Sequence, residues 1–228
     1  NTIRASGTVA AGTVGGYTAS AVVFDGTTNN TLDLTAATVN GTVRAFGAGN
    51  TLSGDGTIHG ALLLNNGKLA PGHSIGTITV VGTASLTGMT YNAEIDATTS
   101  TADLLWVMDS GPLGTPGTAD VTGATLNVSN LSGTPAVGQT FTVLHTTAGI
   151  TGTFTLGTLP AGVTSASLAY PLVGGVAQQA VLTITGVTPP PPAPGGAASI
   201  PTLSEWGVAA LSLLLAGGML WQRRRGRI

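Results

Sequence analysis

The chain has 228 residues, of which 7% are charged and 4% aromatic, with 35 glycines, 12 prolines and no cysteine. A soluble domain usually carries about a quarter charged residues, and so few large side chains exclude a thick globular core. The missing cysteines exclude disulfides, thiolate zinc sites and a cysteine nucleophile.

The formal net charge of −2 hides an asymmetry. Arg223, Arg224, Arg225 and Arg227 are four of the seven cations, while residues 1–199 hold only Arg4, Arg44 and Lys68 against eight acids, a balance of −5. The body therefore has no basic patch, and nucleic acid is not an expected partner. The sequence starts at Asn1, inside a strand repeat, with no initiator Met or signal peptide. It reads as a processed form or a fragment.

Residues 1–83 read as short strands broken by glycine. "GTV" occurs at Gly7, Gly12 and Gly41, and "GTI" at Gly56 and Gly76; the last three are 15 and 20 residues apart. That spacing suits one coil of a solenoid better than a hairpin repeat. Thr and Val favour strands, and Asn-Gly and Pro-Gly mark corners in "ALLLNNGKLAPG". The spacing predicts stacked parallel strands with Val, Leu, Ile and Ala turned inward, and an exposed "NNGKLAPG" corner with Gly67 or Gly72 at positive φ. An antiparallel sandwich is the alternative.

Residues 84–187 keep strand character with less regular spacing. "MTYNAEIDA", "ADLLWVMD", "ATLNVSNL", "QTFTVLHT", "GTFTLGTL" and "QAVLTITGV" read as six strands, joined by loops in "SGTPAVGQTF" and "TLPAGVTSAS". In the fourth, Phe141, Val143 and His145 alternate with Thr140, Thr142 and Leu144. Residues 188–199, "TPPPPAPGGAAS", form a Pro/Gly-rich linker in which four consecutive prolines hold polyproline II.

The tail, residues 200–228, is of another kind. Val208 to Trp221 is an uncharged run rich in Leu and Ala, flanked by Trp206 and Trp221 and followed by "QRRRGR". These flanks predict one transmembrane helix, with Trp206, Trp221, Arg223, Arg224, Arg225 and Arg227 as membrane anchors and the arginines inside. Pro201 disfavours helix at Ile200, which places the start close to Ser204.

The tail resembles the IPTL-CTERM sorting signal of Gram-negative bacteria: a motif IPTLxxWG, a hydrophobic helix and a basic end. Ile200, Pro201, Thr202, Leu203, Trp206 and Gly207 match its fixed positions. The resemblance implies an exosortase-type membrane transpeptidase as partner. It also implies membrane lipid around the tail before processing, and delivery of the body from an inner-membrane precursor to the cell surface or beyond. Residues 65–82, "NNGKLAPGHSIGTITVVG", with "YNAEIDATTSTADLLWV", "GQTFTVL" and "VLTITGV", are similar to autotransporter passengers. That resemblance implies an all-β, right-handed parallel β-helix, though no outer-membrane barrel follows in this sequence.

No catalytic residue, metal ligand or cofactor is assigned. His59, His73 and His145 lack metal-ligand spacing, and His73 in "PGHS" reads as a turn residue. Glu94 and Asp96 share one side of a strand, with Asp103 following; Asp96 and Asp103 read as acceptors for turn backbone. The sequons at Asn29, Asn40, Asn127 and Asn130 read as chance in a Thr-rich chain. The expected function is that of a non-enzymatic, adhesive or structural surface protein, with surface polysaccharide or other cells as targets. The alternative is an extracytoplasmic carbohydrate-active enzyme on the same scaffold, which needs a cleft holding two carboxylates and a cation.

Overall fold

The computed structural model describes residues 2–5, 7–10, 13–14, 17–18, 21–24, 29–111, 114–189 and 203–225. The chain divides into two compact units, Asn1–Thr188 and Pro189–Ile228.

The first unit is almost entirely β, built on a large, mostly parallel sheet. The chain returns to the same three ladders in the same order. The first ladder stacks Thr2–Ala5 on Thr31–Asn40, then Thr51–His59, Lys68–Pro71, Thr90–Asp96, Thr125–Ser132 and Thr155–Leu156, all parallel. The second carries Thr8–Ala10, the far halves of Thr31–Asn40 and Thr51–His59, then Thr77–Val81, Leu104–Met108 and Thr140–Thr146. The third runs from Val22–Phe24 through Val43–Ala45, Leu62–Leu63, Ala84–Ser85 and Thr118–Asp120 to Gly149–Thr151. Each strand of the three ladders finds its ladder partner one circuit away, which is why glycines recur at the corners of the circuits.

Period-two alternation turns every second residue inward. The first ladder thereby stacks Leu32, Leu52, Leu69, Tyr91 and Leu126 into one column, each at most 1% exposed. Val39, Ile58, Val80 and Val107 form a second column and Val43, Leu62, Ala84 and Ala119 a third. Each large aliphatic chain so buried contributes about 1.5–3 kcal/mol. Small and β-branched residues suffice because the core is only as wide as one circuit. Among the described residues Tyr91 is the one fully buried polar aromatic. Its hydroxyl, 3.0 Å from the Val143 carbonyl and 3.2 Å from that of Asp103, donates to main chain across the interior.

Four details differ from expectation. The parallel ladders continue through residue 83 and up to residue 156. Antiparallel pairs join them: Thr13–Val14 with Tyr17–Thr18, inside the region expected to be all parallel, Ile95–Asp96 with Thr101–Ala102, Leu172–Val173 with Val176–Ala177, and, at the end of the stack, Gln179–Val187 with both Thr140–Thr146 and Val163–Ala169. Val163–Ala169 begins inside the segment "TLPAGVTSAS" expected to be a loop; Ala166 and Leu168 turn inward while Ser165 and Ser167 face solvent, an alternation too short and too small in its side chains to stand out beside the Pro-Ala-Gly turn. A register shift between Thr142 and Leu144 buries both Val143 and Leu144 and turns His145 outward. The "NNGKLAPG" corner is only partly exposed: Asn66 and Lys68 face solvent, whereas Gly67 and Pro71 are buried. Gly72 has φ 79°, as expected, and in the Asn-Gly corner the positive φ, 57°, falls on Asn66.

In the second unit one helix spans Leu203–Arg225, starting one residue before Ser204. Among the described residues no helix is long and apolar enough to cross a membrane, so the expected transmembrane helix is not supported. Length is the reason. The uncharged run from Val208 to Trp221 rises about 21 Å at 1.5 Å per residue, against a hydrocarbon core of about 30 Å. The helix reaches Leu203–Arg225 only by including Glu205 and Arg223–Arg225.

Candidate functional site

Two bends build the most developed surface site. Thr31–Asn40 and Thr51–His59 each pass from the first ladder to the second, turning at Ala36, φ 51°, and Gly54, φ 83°. A Cβ on Gly54 would overlap the Leu34 carbonyl and come within 2.7 Å of Asp33 Oδ1, so only glycine fits the turn. In the following circuit, residues 72–76 fold back over this corner. Gly72 N–H donates to the Gly54 carbonyl at 2.7 Å, and the two residues form an isolated antiparallel bridge.

This strap carries His73 over two circuits to Asp33. His73 Nε2 lies 3.1 Å from Asp33 Oδ1 and 3.2 Å from Oδ2. Arg4 Nε donates to Oδ2 at 3.0 Å. Asp33 is 5% exposed. Burial pushes its carboxyl upward, but the hydrogen bonds and charges of Arg4 and His73 outweigh burial and hold it below the usual carboxylate value. Oδ1 has His73 beside it without a well-aligned hydrogen bond. His73 is thus more than a turn residue. Its partner was invisible in the sequence because 40 residues separate the pair.

Beside the strap runs an open trough of about 560 Å³. Thr38, Thr57 and Thr79 form its floor; they are consecutive partners on the outer side of the second ladder. Asp55, His73 and Ser74 line it at the corner. The same outward row continues from Thr79 to Trp106 and then to His145. The indole and imidazole rings stack with centroids 6.1 Å apart and planes 6° apart. Trp106 is 36% exposed, and no second ring covers its other face among the described residues. No Lys or Arg lines the trough.

The acids singled out in the sequence serve the corners. Asp103, 1% exposed, accepts Gly76 N–H at 2.9 Å and Glu94 N–H at 2.8 Å. Burial raises its carboxyl to about 6; the two N–H bonds oppose this and the Glu94 charge adds to it. Asp96 accepts Ser132 Oγ–H and the N–H groups of Thr98 and Thr99, which place its pKa below the ordinary value. Both therefore bond turn backbone, as their position suggested. Asn127 and Asn130 likewise bond neighbouring corners. Among the described residues no three His, Asp or Glu side chains gather to hold a metal.

The helix of the second unit exposes Val208, Leu211, Leu214, Leu215, Met219 and Leu220, positions that go round its whole circumference. Trp206 is 67% and Trp221 58% exposed. The Arg225 guanidinium sits 3.9 Å over the Trp221 ring, and Arg223 is exposed. Leu203 opens the helix and Trp206 and Gly207 lie within it, so three fixed positions of the motif belong to its first turns. Arg224 also lies on the helix, whereas Ile200, Pro201, Thr202 and Arg227 fall outside the described residues.

Compared with known protein families, residues 198–225 match the IPTL-CTERM motif. The C-terminus therefore carries a sorting signal of this type, which is handled by a membrane-associated sorting enzyme and points to a cell-envelope or surface protein. No curated protein matches the chain.

Proposed function

We propose that this is a non-enzymatic cell-surface protein whose β body is a right-handed parallel β-helix of the autotransporter-passenger kind, exported and processed through its sorting signal. The observation that carries the reading is the motif at residues 198–225, set on a helix whose apolar side chains are exposed all round. Such a helix needs lipid or a protein groove. It belongs to a compact unit separate from the β body, so its removal leaves the ladders intact. The partner is an exosortase-type membrane transpeptidase, and the body is delivered outward, with adhesion or structure as its role.

The alternative, a carbohydrate-active enzyme, requires free carboxylates beside a cation. Asp96 and Asp103 are engaged by backbone N–H groups, which favours the binding or structural reading. The motif is tested by replacing Pro201 and Trp206 with alanine in the native host and labelling intact cells with an antibody to the β body. Surface label is expected to fall at least tenfold while total protein is retained. Undiminished label would refute sorting through this motif.

A further inference from the structure

The trough on the second ladder has a chemistry that the sorting signal does not explain. We propose that it binds one strand of a neutral polysaccharide, with Trp106 as the stacking platform and Asp55 as the principal hydrogen-bond acceptor. The proposal names a ligand for the adhesive reading above, but does not depend on how the chain reaches the surface.

Shape comes first. The floor residues Thr38, Thr57 and Thr79 follow one another along the stack at the inter-strand spacing, about 4.8 Å. That repeat is close to the rise of one unit in an extended glycan, so successive sugars meet equivalent hydroxyls. The site is an open channel rather than a closed pocket. At about 560 Å³ it suits a short run of sugar units entering and leaving along the groove.

Chemistry follows. A pyranose has one face of C–H groups and an equator of hydroxyls. The C–H face takes an aromatic ring, whose π face is electron-rich. Trp106 is next in the row after Thr79, and His145 stacked at 6.1 Å holds the indole in position. A half-exposed tryptophan on a β surface with so few aromatics is costly to leave in water, and a sugar face covers it without demanding full burial. The hydroxyl equator needs acceptors as well as donors. Asp55 supplies two carboxylate oxygens at the corner. His73 Nε2 is taken up by Asp33, which leaves Nδ1 to bond a sugar hydroxyl. The strap is thereby held in place by a buried carboxylate rather than by the ligand.

Charge selects among glycans. The lining holds an acid and no Lys or Arg, and residues 1–199 carry a balance of −5. Uronate or sulfated chains are repelled.

The test uses the full chain in detergent with Trp206→Phe and Trp221→Phe, so that Trp106 is the sole fluorophore among the three tryptophans. Hydroxyethylcellulose and galactomannan serve as neutral probes, and polygalacturonate as the anionic one. Titration with at least one neutral probe is expected to shift Trp106 emission saturably, and Asp55→Asn to weaken binding at least fivefold. Affinity electrophoresis of the otherwise native chain is expected to show retardation that Trp106→Ala abolishes, Trp106→Phe retains in part, and Val137→Ala, on a remote loop, leaves unchanged. Circular dichroism confirms that each variant is folded. The proposal is overturned if neither neutral probe shifts Trp106 emission, if Trp106→Ala is retarded as strongly as the parent, or if polygalacturonate binds as tightly as the neutral probes. None of these outcomes bears on the sorting motif, which is read from the location of the protein in cells.

Discussion

At the scale of single residues, two buried carboxylates pull stability in opposite directions with pH. Asp103 has its folded pKa raised from 3.8 to about 6. Between those values the folded state holds a proton that the unfolded chain has lost, so this residue makes stability fall as pH rises through the window and level off above it. Asp33 has its folded pKa lowered, so its contribution is present above the ordinary carboxylate value and is lost as pH falls below it. The two trends meet near pH 4, where the thermal midpoint of the β body is expected to peak. Asp103→Ala should remove the decline between pH 4 and 6. It should also cost about 1–3 kcal/mol at pH 4, because the N–H groups of Gly76 and Glu94 lose their acceptor. Circular dichroism melts from pH 3 to 8 check both; a midpoint that climbs from pH 4 to 6 would contradict the assignment. The backbone-bonding roles of Asp96 and Asp103 were legible from their place at strand ends. The Asp33–His73 contact was not, since it depends on a strap folding back over two circuits.

At the scale of elements, the bend between the first and second ladders is the critical joint. Gly54 combines a positive φ with a carbonyl where its Cβ would lie, whereas Gly138 has a similar φ, 90°, and open space. Gly138→Ala should therefore report φ strain alone, about 1 kcal/mol, and Gly54→Ala strain plus overlap, about 2–3 kcal/mol. Urea midpoints of the two variants measure the difference, and equal costs would show that the corner relaxes freely. The C-terminal helix was legible in kind and nearly in position, from its uncharged Leu/Ala run. Its capacity to span lipid was over-read. Flanking tryptophans and arginines gave the look of a crossing, but the apolar run between them is too short. Val163–Ala169 was missed because its inward residues after Val163 are only Ala166 and Leu168, a short alternation that follows directly on a Pro-Ala-Gly turn signal.

At the scale of the whole molecule, the glycine-threonine spacing carried most of the architecture. "GTV" at Gly41 and "GTI" at Gly76 precede strands of the third and second ladders, and "GTI" at Gly56 lies within Thr51–His59 where it enters the second ladder, so the repeat reported circuits rather than hairpins. What spacing could not give is which outward residues become neighbours. Thr79, Trp106 and His145 are far apart in sequence yet consecutive across the ladder. Under the proposed glycan reading, the outer row is where ligand chemistry is assembled, while the inner columns hold the circuits together. The tail belongs to the second compact unit and carries the sorting signal; the proposal is that it decides where the body is displayed. The most direct test of that central claim is the intact mass of the surface-exposed protein, taken from cells with and without the sorting enzyme. The account predicts a surface species lacking the C-terminal "QRRRGRI" when the enzyme is present, and loss of that species when it is absent. A surface species that retains this segment in the presence of the enzyme would contradict it.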